Sequence, residues 1–197
     1  MDIRWDWRLF ETLNFDGGVA MDAFMTAVSG VFMWIPLYVL ILYIVWRRYS
    51  WRGLLVFVVS VAVAMALADM VAGVFKHTGL LKNLWASFPA RLRPMWNDML
   101  CDVHVPSFDH GKYGTVSAHA ATIAAMATLS IVAIRRWWYA VVIVVVTLLI
   151  CYSRIYLACH YPFDILLGIA LGVLSGGVGA GLFVWCRSLK FFDKKKL

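Results

Sequence analysis

Charged residues are scarce in this 197-residue chain: they make up 15% of it, against about 25% in an ordinary soluble domain. Acids are scarcer than bases, 11 against 18 Lys and Arg. The four cysteines, Cys101, Cys151, Cys159 and Cys186, form no CxxC pair and no metal-ligand spacing, which argues against a disulfide scaffold and a zinc module. No internal repeat is visible. Disorder, a collagen-like fibre and a coiled coil are excluded by composition. The start, MDIRWDWRLFETLNFDGG, carries acids and no continuous apolar core, so no cleavable signal peptide is expected.

What replaces charge is apolar surface. Hydrophobic residues are 63% of the chain, and 10 Trp, 12 Phe and 8 Tyr suit two aromatic interface belts. A bilayer core about 30 Å thick needs roughly 20 apolar residues per helix, and five stretches qualify: 23–46, 54–75, 115–134, 138–155 and 162–185. The expected fold is an all-α integral membrane protein, a bundle of five transmembrane helices preceded by an N-terminal interfacial helix. That lead-in puts Trp5, Leu9 and Leu13 on one face, with Arg4, Arg8 and Glu11 elsewhere. The chain is expected to be one membrane domain over 1–197. Residues 1–20 form the interfacial helix, 23–76 spans 1–2, 77–114 an extracytoplasmic loop, 115–187 spans 3–5 and 188–197 a basic cytoplasmic tail.

Five spans put the termini on opposite sides. The C-terminal side receives Arg47, Arg48, Arg52, Arg135, Arg136, Arg187, Lys190, Lys194, Lys195 and Lys196, with Asp193 as the one acid. The positive-inside rule makes that side cytoplasmic. The net charge of +7 therefore reads as membrane anchoring and not as nucleic-acid binding. The terminal KKKL reads as part of that anchor, with a dilysine retrieval signal as the alternative.

The polar residues collect at the opposite face. Lys76 and His77 end the second span, and Lys82, Arg91 and Arg93 follow in the loop. Ser117 and His119 open the third span, Ser153 and Arg154 close the fourth, and His160 and Asp164 open the fifth. Taken singly each has a plain explanation. A lone Arg or Lys at an interface is ordinarily an anchor, a lone His a satisfied polar group, and the Gly-rich fifth span close helix packing. Asp69 differs, because a carboxylate inside a span is costly and points to a functional or paired role. Together, clustered guanidinium and ammonium groups suit phosphate oxygens. GKYGTVSAH leads two Gly into a helix start that favours an anion. Two His offer proton transfer or nucleophilic attack. Asp164, four residues after His160, can orient its ring. Metal: none is expected, since His and carboxylates are too few and the cations would repel one.

These residues resemble the type 2 phosphatidic acid phosphatase (PAP2) superfamily of membrane lipid phosphatases, whose motifs are K-x6-R-P, P-S-G-H and S-R-x5-H-x3-D. The third is complete as Ser153-Arg154, His160 and Asp164. The second keeps Ser117 and His119 but has Val116 and Ala118 for Pro and Gly. The first keeps Arg93-Pro94, while the position seven before Arg93 is Ala86. Lys76, preferred over Lys82, ends its helix as the family's lysine does. The resemblance covers roughly residues 54–185 and implies a phosphohistidine mechanism. In it His160 is the nucleophile, Asp164 orients it, His119 protonates the leaving oxygen, and Lys76, Arg93, Ser117 and Arg154 bind phosphate. It implies no cofactor.

The expected activity is metal-independent hydrolysis of a lipid phosphate or pyrophosphate in the bilayer. Undecaprenyl pyrophosphate ranks ahead of lipid A phosphate, phosphatidylglycerol phosphate and phosphatidic acid. A lipid-to-lipid phosphotransferase and a non-catalytic lipid or anion transporter are the alternatives. The expected location is a bacterial inner membrane, with the site facing the periplasm or exterior and no nucleic-acid partner. Oligomeric state is not readable from the sequence. Cys101 and Cys159 fall on the site's side and are a candidate pair.

Overall fold

Apolar runs with small residues at three- and four-residue intervals set the helices, and the polar ends cap them. A computed structural model describes residues 4–78, 81, 83–85, 87, 90–106 and 111–189. Among these the α-helices are α1 (Arg4–Leu13), α2 (Gly18–Ser29), α3 (Ile35–Lys76), α4 (Ala118–Ile134), α5 (Trp137–Tyr156) and α6 (Pro162–Ser188). Short 3₁₀ turns cover Phe32–Trp34 and Pro94–Trp96. By length and composition, Phe32–Lys76, Trp137–Tyr156 and Pro162–Ser188 can cross a membrane. The apolar helices α2 and α4 are shorter, at 12 and 17 residues.

The first expected span is built differently from the expectation. Instead of one helix over 23–46, α2 stops at Ser29. Gly30 is extended (φ −81°, ψ 154°), and α3 starts afresh with a proline in its first turn. Between the expected spans 23–46 and 54–75, α3 is two helical arms joined across a kink at Ser50 (φ 61°, ψ 179°), a region of backbone space reserved almost wholly for glycine. Both arms of α3 feed one buried cluster: Ile41 and Val45 from the first, Phe57, Ala64 and Ala68 from the second. Phe183 of α6 meets Tyr49 and Phe57 edge-on, on either side of the break.

The lead-in has a second, inward face that the sequence pattern leaves unmarked. It is helical, but Asp6 and Phe10 are its fully buried residues, whereas Trp5 and Leu9 are 51% and 41% exposed. Phe10 packs edge-on against Tyr161. The helix thus lays its inner face on the ends of α5 and α6 and leaves the Trp5–Leu9 face outward.

The centre of the molecule is α4, an alanine-rich helix in close contact with α6. A Cβ on Gly168, Gly172 or Gly176 would lie 2.6, 2.3 and 2.6 Å from the backbone oxygens of Ser117, Ala121 and Ala125. Small residues at four-residue spacing let two helix backbones meet in this way. The helices run parallel in this seam, and the Ser117 N–H donates to the Asp164 carbonyl at 3.0 Å, so their N-termini are held level. The two N-termini carry the second and third motifs.

Candidate active site

His160 lies between α5 and α6, 1% exposed. Its position follows from the end of α5, where the N–H groups of Cys159 and His160 both donate to the Arg154 carbonyl and Ala158 takes a left-handed turn (φ 53°). On one side of the ring, Arg93 Nη1 stands 3.5 Å from Nε2. On the other, Asp164 Oδ2 stands 3.9 Å from Nδ1. Nδ1 has no hydrogen-bond partner among the described residues. Burial first, and then the charges of Arg93, Lys76, Arg154 and His119, hold the His160 pKa well below the ordinary imidazole value. A neutral imidazole amid cations keeps a nitrogen lone pair available beside positive charge, an arrangement that suits an anion.

The loop between α3 and α4 brings Arg93 over this ring. Leu92 and Tyr113 form an isolated antiparallel bridge, Arg93 N–H donates to the Lys112 carbonyl, and Gly114 N–H donates to the Arg91 carbonyl. Gly114 is required here: a Cβ would meet Arg93 Cγ at 2.7 Å and approach His160 Nδ1 at 3.5 Å. Arg93 is then fixed by the Tyr113 and Cys159 carbonyls, each at 3.2 Å. Arg154 is 4% exposed and donates from Nη1 to Ser29 Oγ at the end of α2. Lys76 is the last residue of α3, half-buried, and His119 is the second residue of α4 with an exposed side chain.

All seven expected site residues are therefore drawn to one place, at the N-termini of α4 and α6. Ser117 carries a structural duty as well: its hydroxyl oxygen accepts from Ala120 N–H at 3.3 Å and caps α4. Lys82 and Ala86 lie outside the described residues, as do Lys190 and Lys194 to Lys196. Asp69 is exposed on α3 and lines a cavity of about 530 Å³ together with Ser29, Trp34, Phe57, Met65 and His119. Cys101 and Cys159 are separate free thiols, the first exposed and the second buried with Sγ turned to the Leu157 carbonyl. Burial pushes the Cys159 thiol pKa up.

Two groups escape a reading by motif. Asp6 and Arg91 form a buried ion pair at 2.6 Å beside Asp164. Asp22, His104 and Tyr156 form a knot that ties the loop to α2 and α5. His104 Nε2 lies 2.8 Å and Tyr156 Oη 2.6 Å from Asp22 Oδ1, and Asn14 bridges the His104 and Tyr156 backbones. Asp22, the one charge in the otherwise apolar α2, is the one sequence signal of the second group; Asp6 is one charge among several in α1 and carries none.

Comparison with known proteins places this geometry in context. Residues 53–188 match the model of the PAP2 superfamily. The lipid A 4′-phosphatase of Bacteroides thetaiotaomicron is 33% identical over 163 residues, which cover 82% of this chain and 68% of that protein. The lipid A 4′-phosphatase of Porphyromonas gingivalis is 27% identical over 181 residues, 92% of this chain and 74% of that one. The fold is shared with the crystal structure of Aquifex aeolicus LpxE, with a TM-score of 0.68, 20% identity, and coverage of 91% of this chain and 97% of that one. It is shared also with a transmembrane PAP2-type phosphatidylglycerolphosphate phosphatase from Bacillus subtilis, with a TM-score of 0.61, 20% identity, and coverage of 95% and 87%.

Proposed function

The chain belongs to the PAP2 superfamily and is a membrane lipid phosphatase, and from that premise we propose that it removes a phosphate monoester from a glycolipid of the lipid A class through a phosphohistidine at His160. The observation that carries the reading is the buried imidazole with Arg93 at 3.5 Å on one nitrogen and Asp164 at 3.9 Å from the other. Undecaprenyl pyrophosphate, ranked first on sequence, gives way to lipid A phosphate because both similar sequences bear the name lipid A 4′-phosphatase.

His160 Nε2 attacks phosphorus in line. The N–P bond forms, the P–O bond to the lipid breaks, and His119 gives its proton to the departing oxygen. Water then attacks phosphorus with His119 as base, the N–P bond breaks, and phosphate leaves. Nδ1 keeps its proton, and the Asp164 carboxylate beside it offsets the positive charge that the ring gains when Nε2 bonds to phosphorus. Lys76, Arg93, Arg154 and Ser117 hold the phosphoryl oxygens. Phosphoryl transfer asks mainly for positioning and charge stabilisation, and each such donor is commonly worth ~10²–10³ in rate. The apolar cavity beside His119 suits the acyl part of the lipid.

The same reading makes the chain one membrane domain with five crossings, the two arms of α3 counted separately. The site faces out of a bacterial inner membrane, α1 lies in the outer interface, and the basic C-terminal tail is cytoplasmic. Excess Lys and Arg at the far end supports that orientation.

The test is phosphate release by purified protein in detergent with EDTA, across lipid A, undecaprenyl pyrophosphate, phosphatidylglycerol phosphate and phosphatidic acid. Fastest release from lipid A, abolished in His160→Ala, is expected. Release by His160→Ala refutes the nucleophile. Label passing to an acceptor lipid refutes hydrolysis in favour of phosphotransfer.

A further inference from the structure

We propose that Asp6 is a positioning residue for the reaction: it holds Arg91 off Asp164 and so keeps Asp164 for His160. The inference rests on the roles given above to His160 and Asp164. Asp6 lies outside residues 53–188, the part matched to the family.

The geometry is a buried row of alternating charge. Asp6 is fully buried, and its two oxygens are divided between two tasks. Oδ2 takes Arg91 Nη1 at 2.6 Å, and Oδ1 takes the Phe163 N–H at the start of α6 at 2.8 Å. Arg91 is 9% exposed in its side chain and lies 3.6 Å over the Tyr161 ring. The same Nη1 that contacts Asp6 stands 3.6 Å from Asp164 Oδ1, within ion-pair range but outside hydrogen-bond distance, so Arg91 already leans on Asp164 and a direct bond is one short step away. Asp164 in turn accepts the Tyr161 N–H at 3.1 Å and faces His160 Nδ1.

A buried guanidinium is costly without a compensating charge or hydrogen-bond acceptors, and a nearby carboxylate is the strongest partner. Two are within reach, and Asp6 is the nearer by a full ångström. Remove its charge and Arg91 has one partner left. A close Arg91–Asp164 pair turns the carboxylate from His160 and spends its charge on the guanidinium. The ring that becomes cationic on phosphorylation then loses its counter-charge. Chemistry is impaired, while the phosphate-binding cations stay where they are. Asp6 sits on α1, whose opposite face carries the exposed Trp5 and Leu9, so the row begins on the element that faces outward.

The experiment compares wild type, Asp6→Asn, and Asp6→Asn with Arg91→Gln. Asp6→Asn keeps an acceptor for the Phe163 N–H and removes only the charge. Its kcat is expected to fall at least ~10-fold with KM within about threefold, and the added Arg91→Gln to bring kcat back to within about threefold of wild type. An unimpaired Asp6→Asn, or a double variant as slow as the single or slower, overturns the proposal. If Asp6→Asn does not fold, the neutral double variant decides alone: near-wild-type kcat supports the idea and a large loss refutes it. A readout free of turnover is the ¹⁵N imidazole spectrum, with His160 assigned by its loss in His160→Gln. The Nδ1–H form is expected in wild type and in the double variant, and a shifted signal in Asp6→Asn. Identical spectra in all three overturn the proposal. Absence of phosphate release by wild type counts against the proposed function instead, and leaves the spectra to judge Asp6.

Discussion

Replacing Gly172 by alanine should slow the enzyme from a distance. The new Cβ would stand 2.3 Å from the Ala121 carbonyl oxygen and 2.6 Å from the Ala124 Cβ. Both are attached to the α4 backbone, so no side-chain rotation relieves them. Restoring ordinary contact requires α4 and α6 to part by about 1 Å, and overpacking of this kind costs about 1–3 kcal/mol. Ser117 and His119 move with α4, while His160 and Asp164 belong to the α6 end. A misplacement of about 1 Å can cost ~10²-fold in rate. Gly177 on the same helix is the control, because a Cβ there meets nothing within 4 Å. Gly177→Ala should keep full activity and gain up to ~1 kcal/mol from helix propensity. The assay is kcat for phosphate release together with thermal unfolding in the same detergent. If Gly172→Ala matches wild type in both, the seam does not set the distance between the two histidines.

Three further outcomes follow from burial and partners. His160 stays neutral in the fold well below pH 6.5, whereas the unfolded chain takes up its proton there. Stability contributed by this group is therefore complete above pH 6.5 and is lost, by up to about 1.4 kcal/mol per pH unit, as pH falls. Melting temperatures from pH 7.5 to 5.5 should drop more steeply for wild type than for His160→Gln, and equal slopes contradict a buried neutral ring. Asp22→Ala strips Tyr156 and His104 of their shared acceptor and should lower stability by about 1–3 kcal/mol, read by thermal unfolding. Maleimide should label Cys101 in the folded protein and spare Cys151 and Cys159 until denaturation; reductant should not change gel mobility.

What could be read from the sequence was what is local. The third motif spans the end of α5 and the first turn of α6, so its spacing already fixes its geometry. Ser117 and His119 open a helix, and their side follows from counting spans. Arg93 was legible through the proline after it. The turn at Ser50 was legible as well, since Arg47, Arg48 and Arg52 interrupt the apolar run between the spans 23–46 and 54–75; the end of α2 at Ser29 was not, because the apolar run continues across it. Asp6 carries no such local signal. A search for an apolar stripe finds Trp5, Leu9 and Leu13, whereas the buried face is set by a carboxylate whose partner Arg91 is 85 positions away. Pairings of that range are decided by the fold, and one sequence does not state them.

The cavity beside His119 is lined from α2, α3 and α4, with Val31 and Val58 exposed at its margin. On the proposed reading, in which this cavity takes the acyl part of a membrane lipid, substrate and product are both exchanged with the surrounding membrane. The concentration that governs turnover is then a mole fraction of amphiphile. Extra detergent at constant lipid dilutes the reactant although the test tube holds as much of it as before. Unreactive lipid of similar shape competes for the opening, and accumulated product becomes a diluent of its own precursor.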